Sequence, residues 1–240
     1  MTISGSDCAE DLDTLPASIV LDRRQNVADQ VYQALRAAIL TVRLLPGAAI
    51  SENRICRHFG VSRTPARAAV LRLAEEGLID VYPQQGSFVS PIRMRAIEDA
   101  RFVRRALELS LVAEAALHWT PARTVAARAM IAAQAVAVAA GDLDRFLQED
   151  VRFHRNFAMQ AGREGVWPYV ETAMGRLSRI IRLFGMPERL SMVLEEHTAI
   201  IDALAAADAP AAAAALAYHI DRIFVMLRAV PEQYRAFVTE

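Results

Sequence analysis

The chain has 240 residues, of which 54% are hydrophobic and 23% charged, and its formal net charge is −1 at neutral pH. This length allows one large or two ordinary domains, and this composition excludes a wholly disordered chain. The two cysteines are too few for a disulfide framework, and the longest apolar tracts, which are rich in alanine or interrupted by Asp, fall short of the roughly 20 residues of a membrane span.

Residues 1–22 are expected to form a disordered acidic tail. The first 19 residues contain four acids and no basic residue, which is the opposite of the charged start of a signal peptide. We therefore expect a cytoplasmic protein that is not associated with a membrane.

Three helices and a hairpin are predicted within a first domain, residues 23–92. Apolar residues recur at the helical period, and Ser51, Gly60 and Ser62 provide the expected start and stop signals. The predicted helices are Val27–Val42, Glu52–Phe59 and Arg63 to about Glu76. The last two are joined by so short a turn that they form a helix-turn-helix.

A β-hairpin is predicted directly after the third helix. Two short β-prone segments, Leu78–Tyr82 and Ser87–Pro91, flank the turn Pro83-Gln84-Gln85-Gly86. Such a hairpin behind a helix-turn-helix forms a wing.

Five arginines and no acid lie between Asn53 and Leu73, so positive charge is concentrated on the predicted motif: Arg54, Arg57, Arg63, Arg67 and Arg72. A recognition helix inserts its first turn into the major groove of DNA, where arginine makes bidentate contacts with guanine. Arg63 and Arg67 are four residues apart and share one helix face. The hydroxyls of Ser62 and Thr64 are placed to contact phosphates.

After a short linker at residues 93–96, residues 97–237 are predicted to be entirely helical. Pro, Gly or Asp marks the start or end of each of six segments: Ile97–Leu117, Pro121–Ala140, Leu143–Ala161, Val166–Phe184, Pro187–Ala207 and Pro210–Val230. Six helices of this length predict an antiparallel bundle. The fold class expected is therefore mainly α, with a winged helix-turn-helix followed by an all-α bundle.

Asp150 and His154 are four residues apart on one predicted helix, so their side chains share a face. His197 and His219 lie on two later helices and could converge with them to hold a divalent metal ion. Zn, Ni, Mn or Fe would each accept this mixed nitrogen and oxygen set. Taken singly, each histidine is more typical of a surface residue or a hydrogen-bonded core residue than of a metal ligand.

Residues 27–92 resemble the winged helix-turn-helix of GntR-family bacterial transcription regulators. The matching segments are Gly60-Val61-Ser62-Arg63-Thr64-Pro65-x-Arg67, Leu73-x-x-Glu76-Gly77-Leu78 and Gly86-Ser87-Phe88-Val89. The resemblance implies that Arg63 and Arg67 contact bases or adjacent phosphates, Thr64 the backbone, and Gln85 and Gly86 the minor groove.

Two positions depart from the family pattern. Arg54 is displaced by one position because Asn53 follows Ser51-Glu52, so the phosphate contact that the resemblance implies would be made by Arg54 from a shifted position. Ala68 stands where Glu is usual, which implies the loss of a local salt bridge.

Residues 95–235 resemble the helical FCD domain of the FadR subfamily. The resemblance implies that Asp150, His154, His197 and His219 coordinate the metal ion. It also implies that Arg104 faces the cavity and holds the carboxylate of a small organic acid. A surface salt bridge between Arg104 and Glu108 is the alternative for that arginine.

The function expected is a sequence-specific regulator, a repressor rather than an activator, that responds to a small carboxylate metabolite. A homodimer would read an inverted-repeat operator in double-stranded DNA. Two alternatives are an architectural DNA-binding protein without an effector and a metal-dependent enzyme fused to a DNA-binding domain. No catalytic triad, phosphate loop or dinucleotide motif is found in the sequence, so we predict no enzyme.

Overall fold

The computed structural model describes residues 21–22, 24–184, 187–226 and 232–240. The chain divides into two compact units, one formed by residues 1–93 with 235–240 and the other by residues 94–234. Nearly all of the predicted acidic tail lies outside the described residues, as does the predicted end of the last helix at Val230.

The first unit contains three helices, α1 (Val27–Leu40), α2 (Glu52–Phe59) and α3 (Arg63–Glu75). Their apolar faces meet in one core that includes Leu35, Ile39, Ile55 and Leu73, all fully buried. Burial of such side chains is the main favourable term that holds three short helices together. The mainly helical fold class and the helix-turn-helix predicted from the sequence are confirmed.

A three-stranded antiparallel sheet completes the winged fold of this unit. Its strands are β1 (Ala49–Ile50), β2 (Ile79–Tyr82) and β3 (Gly86–Val89), in the order β1-β3-β2. In the hairpin turn both Gln84 and Gly86 have positive φ angles, 63° and 115°. Glycine tolerates such a conformation without steric cost, which explains its position at the tip.

The boundaries of the two units differ from the expected ones. The segment predicted as a linker, residues 93–96, holds the end of strand β4 (Ile92–Arg93) and the first turn of helix α4 (Met94–Ala116). The segment predicted as helical up to residue 237 ends in a 3₁₀ turn, and the strand that follows it, β5 (Val238–Thr239), pairs in parallel with β4. The sequence did not indicate this pairing because its two strands are short and far apart in the chain.

The second unit contains α4 and five further helices. These are α5 (Pro121–Ala139), α6 (Leu143–Gln160), α7 (Trp167–Phe184), α8 (Pro187–Ala205) and α9 (Ala209–Met226). Local capping explains where several begin: the side chains of Thr120 and Asp142 each accept a first-turn amide hydrogen bond, and Pro121 opens α5. The core includes the fully buried Phe153, Phe157 and Ile200.

Helix α5 is long and apolar enough, by length and composition alone, to cross a membrane. Its apolar character comes largely from alanine, and it packs against α6 and α8. A single helix of this kind is weak evidence for a membrane span. Among the described residues no other helix meets it.

Candidate nucleic-acid interface and metal centre

The tip of the helix-turn-helix is formed by the start of α3. Gly60 ends α2 in the left-handed conformation, with φ of 62°, and α3 begins three residues later. The buried face of α3 carries Ala66, Ala69, Val70 and Leu73. Burial of this face leaves Arg63, Thr64 and Arg67 exposed at the first turns of the helix.

Ser62 precedes α3 with extended backbone angles, but its side chain makes no capping hydrogen bond. The prediction that the Ser62 side chain caps α3 is therefore wrong. The hydroxyl is exposed next to the first amide groups of the helix, which carry the positive end of the helix dipole. Both features suit a phosphate group.

Arg72 does not share the role of the exposed residues Arg63, Thr64 and Arg67. It forms an ion pair with Asp29 of α1, and its guanidinium lies 3.9 Å above the centre of the Tyr32 ring. Glu76 accepts hydrogen bonds from the Tyr32 hydroxyl and, at 2.9 Å, from Nε of Arg36. These contacts hold α3 against α1, so Arg72, one of the five clustered arginines, has a structural role. Arg54 is half-buried on α2.

At the wing, Gln85 and Gly86 are both exposed at the turn between β2 and β3. The turn is held by the pairing of Tyr82 with Gly86 and by a backbone hydrogen bond from Gln85 to Tyr82. The wing tip is therefore an ordered hairpin that presents polar backbone and an amide side chain to solvent.

In the second unit the structure brings together the four residues that the sequence singled out as metal ligands. Asp150 and His154 come from α6, His197 from α8 and His219 from α9. One ligand atom from each lies within 4.8 Å of the others. Oδ1 of Asp150 is 3.9 Å from Nε2 of His154 and 3.6 Å from Nε2 of His197.

Each of the three imidazoles is anchored through its Nδ1 atom by a buried side chain. Nδ1 of His154 bonds to Glu108, Nδ1 of His197 to Oε1 of Gln134 at 2.9 Å, and Nδ1 of His219 to Oε2 of Glu196 at 2.8 Å. When Nδ1 carries the proton, Nε2 keeps its lone pair. Such outer contacts fix the tautomer and the orientation of metal-binding histidines. We call Glu108, Gln134 and Glu196 the anchoring residues.

The two anchoring carboxylates are each neutralised by a buried arginine. Arg104, 6% exposed, donates from Nε to Oε1 of Glu108 at 2.5 Å. Arg189, 3% exposed, donates from Nη1 and Nη2 to the two oxygens of Glu196, at 2.8 and 2.6 Å. A buried carboxylate needs such a partner because desolvation of an isolated charge is costly.

A surface salt bridge with Glu108 was the alternative to a ligand contact for Arg104. The structure has this salt bridge, but the pair is buried. Its Nη2 atom lies 3.4 Å from Nδ1 and 3.2 Å from Nε2 of His154. Nearly equal distances to both ring nitrogens mean that the guanidinium lies over the ring face. The pair with Glu108 uses Nε and Nη2, and a guanidinium has further N–H groups to offer a ligand.

The electrostatic environment favours neutral imidazoles at His197 and His219. Burial, followed by the positive charges of His219, His154, Arg104 and Arg189, lowers the pKa of His197 well below its usual value, and burial with the neighbouring cationic groups does the same for the pKa of His219. Neutral imidazole is the form that binds metal ions.

The carboxylates of this cluster shift in opposite directions. Burial raises the pKa of Asp150. Burial opposes ionisation of Glu108 as well, but the charges of Arg104 and His154 outweigh it and lower the pKa of Glu108. An ion close to Asp150 would offset the cost of its buried charge.

The residues present fit a divalent metal ion. Nε2 of His197 is buried and has no hydrogen-bond partner among the described residues, which is a costly arrangement that a coordinated ion would relieve. Separations of 3.6 and 3.9 Å are what two ligand atoms, each about 2.1 Å from a common ion, can span.

A cavity that is partly open to solvent adjoins this cluster. Arg104, Asp150, Arg189 and His219 lie among its lining residues. The other lining residues are apolar. The cavity can therefore place a ligand beside both the cluster and a buried guanidinium.

Sequence reasoning did not identify Gln134, Arg189 or Glu196. Two signals were present: Gln134 is the one polar residue between Ile131 and Ala140, and Arg189 and Glu196 are seven residues apart, on one helix face. An isolated polar side chain in an apolar helix stretch needs a buried partner.

Comparison with known proteins identifies both units. Residues 27–89 match the family described as bacterial regulatory proteins, gntR family, and residues 99–222 match the FCD domain. The chain is 37% identical over 196 residues, 81% of its length and 82% of the relative, to an HTH-type transcriptional regulator in an unstable DNA locus of Streptomyces ambofaciens. It is 29% identical over 221 residues, 92% of its length and 97% of the relative, to the HTH-type transcriptional repressor RspR of Escherichia coli K12.

Solved structures show the same fold. E. coli McbR/YncC superposes with a TM-score of 0.72 at 23% identity, covering 87% of this chain and 99% of that one. A transcriptional regulator from Rhodococcus sp. RHA1 gives 0.70 at 24% identity, covering 86% and 100%. The matches are to transcriptional regulators and not to enzymes.

Proposed function

The chain belongs to the GntR family of bacterial transcriptional regulators and carries an FCD domain, and we propose that it is a repressor whose operator binding is controlled by a small carboxylate at a metal site. The observation that carries the proposal is the convergence of Asp150, His154, His197 and His219 in the helical unit. The repressor role is supported by the similarity to RspR, a transcriptional repressor.

In the proposed complex with DNA, the first turns of α3 enter the major groove. Arg63 and Arg67 are exposed there and free of acidic neighbours along the helix, so they can reach guanine edges. Ser62 and Thr64 donate to phosphate oxygens, and Arg54 reaches a further phosphate. Gln85 and Gly86 at the wing tip contact the minor groove.

In the proposed ligand site, Asp150 and the Nε2 atoms of the three histidines hold the metal ion, and the anchoring residues keep the imidazoles in place. Zn, Ni, Mn and Fe all accept this donor set. When bound, the ion supplies a Lewis-acidic position for one oxygen of a carboxylate. Arg104 donates to the other oxygen from the N–H groups that Glu108 does not use.

We further propose that two copies of the chain bind an inverted repeat in double-stranded DNA in the cytoplasm. One three-helix unit reads too few base pairs for a unique genomic site, whereas a dimer reads two half-sites. Ligand binding then releases the operator, because a ligand with different affinities for two states shifts their populations.

The decisive experiment combines operator selection with metal analysis. Purified full-length protein is expected to select one inverted repeat from genomic fragments at moderate salt, and to retain about one divalent ion per chain after gel filtration. An architectural DNA-binding protein would show no preferred site. A chain that selects a site but binds no divalent ion even when one is supplied would contradict the sensor function.

A further inference from the structure

The polar lining residues of the cavity beside the metal cluster either belong to the cluster or are linked to it by side-chain contacts, and they define a polar end of the cavity. Its described lining residues comprise four polar residues, Arg104, Asp150, Arg189 and His219, and seven apolar ones. The apolar residues come from four helices, and include Phe146 of α6, Ile181 of α7, Leu190 of α8 and Ile223 of α9. A ligand held at the polar end must extend its body along this apolar wall.

The wall offers no neutral hydrogen-bonding group. None of the described lining residues is Ser, Thr, Asn, Gln or Tyr. A hydroxyl group carried into such a cavity loses its hydrogen bonds to water and gains none. That loss disfavours polyhydroxylated ligands strongly, because each buried hydroxyl without a partner is costly.

The charge balance at the polar end limits the charge of the ligand. Arg104 is matched by Glu108, and Arg189 is matched by Glu196 through two hydrogen bonds. Histidines that bind a metal ion are neutral, so a divalent ion and the Asp150 carboxylate together leave a single positive charge. A ligand with one negative charge neutralises the site, whereas a second carboxylate would meet the apolar wall without a partner.

We infer that the effector is a monocarboxylate with an apolar body, not a sugar acid and not a dicarboxylate or tricarboxylate. This inference rests on the proposed metal site and on the proposed role of Arg104. The carboxylate lies between the metal ion and Arg104, and the body fills the space between α6, α7, α8 and α9.

Three acids of equal carbon number test the inference on the unmodified, metal-loaded full-length protein. Hexanoate has one carboxylate and an apolar chain, gluconate adds hydroxyl groups, and adipate adds a second carboxylate. Calorimetry should show hexanoate binding at least tenfold tighter than either of the others. Affinity should rise roughly fourfold for each methylene added from butyrate to hexanoate, since each buried methylene contributes a constant increment.

A wall variant tests where the body lies. Leu190→Gln places an amide on the wall. It is expected to weaken hexanoate binding about tenfold and to reduce the difference in affinity between hexanoate and gluconate. Met159→Gln is the matched control, because Met159 is an exposed apolar residue of α6 that does not line the cavity. Thermal unfolding of both variants checks that they are folded.

The outcomes separate this inference from the function on which it rests. If gluconate or adipate binds more tightly than hexanoate and releases the operator, the sensor function stands and the apolar-bodied ligand is excluded. If the metal-loaded protein binds none of the three acids at millimolar concentration, the inference fails too. If the protein binds no metal ion, both fail.

Discussion

At the scale of single residues, the metal cluster depends on side chains that would not touch the ion. His154, His197 and His219 each use Nδ1 to bond a buried oxygen, which leaves Nε2 of each ring for a metal ion. Two of these oxygens belong to carboxylates held by Arg104 and Arg189. The third, from Gln134, is uncharged, and it is the anchor most easily removed without leaving an unpaired charge.

Replacing Gln134 with Leu should therefore weaken metal binding without unfolding the protein. The substitution removes the acceptor of His197 Nδ1 and keeps the volume of a buried side chain, and loss of such an outer contact costs about 10- to 100-fold in metal affinity. Competition with a chelator measures the dissociation constant. Gln148→Leu, an exposed change on α6, is the control and should leave it unchanged. Equal metal affinities in the two variants would show that Gln134 does not contribute to metal binding.

A second prediction at this scale concerns Arg67, which is exposed near the start of α3. Arg67→Ala should weaken binding to the selected operator about 5- to 150-fold, because a bidentate arginine contact to guanine contributes that much discrimination. Binding to unrelated DNA should fall much less. Arg145→Ala, an exposed arginine of α6, serves as the control. Titrations of both variants against operator and random duplexes at one salt concentration would show whether sequence discrimination has been lost.

At the scale of elements, the helices follow from local signals and the contacts between them do not. Ser51 caps α2 as the sequence predicted, and Thr120 and Asp142 cap α5 and α6 in the same local way, because a cap involves neighbouring residues only. The parallel pairing of β4 with β5 and the Arg189–Glu196 pair depend on tertiary packing. The four ligand residues could be proposed from the sequence, but only Asp150 and His154 share a helix. Spacing cannot show that three helices converge, so the complete ligand set depended on the family resemblance as well.

The turn between α2 and α3 is sensitive to a single substitution at Gly60. Gly60→Ala should destabilise the DNA-binding unit by about 1 to 2 kcal/mol, because φ of 62° strains any residue that has a Cβ atom. Space is not the cause, since a Cβ at Gly60 would meet no atom within 4 Å. The same holds at Gly165, which lacks the strained angle, so Gly165→Ala is the matched control. Urea unfolding should show a loss for the first variant only.

At the scale of the whole molecule, two units of different character share one chain. The first is held by a continuous apolar core and carries its exposed arginines on the outside. The second buries polar and charged side chains at its centre, including Arg104, Glu108 and the three histidines of the cluster. A buried polar centre is costly unless every group has a partner. The stability of the second unit should therefore respond to metal and to pH.

The pH response of the metal-free protein has a defined sign. The pKa values of His197 and His219 are lowered in the folded state, mainly by burial, while unfolded histidine titrates near 6.5. Above pH of about 6.5 both states are neutral and the stability is fully present. As the pH falls below that value the unfolded chain binds protons that the folded chain does not, so stability falls by up to about 1.4 kcal/mol per pH unit for each histidine. The raised pKa of Asp150 acts in the opposite sense, because protonating it in the folded state adds stability as the pH falls.

The contribution of one histidine can be isolated by a matched pair of variants in the presence of a chelator. His219→Gln removes a group with a lowered pKa, so urea unfolding between pH 7 and 5 should show a shallower loss of stability than in the unmodified chain. His118→Gln changes an exposed histidine outside the cluster and should leave the slope unaltered. Identical slopes for all three proteins would mean that His219 is protonated equally in the folded and unfolded states, which would contradict its burial as a neutral ligand.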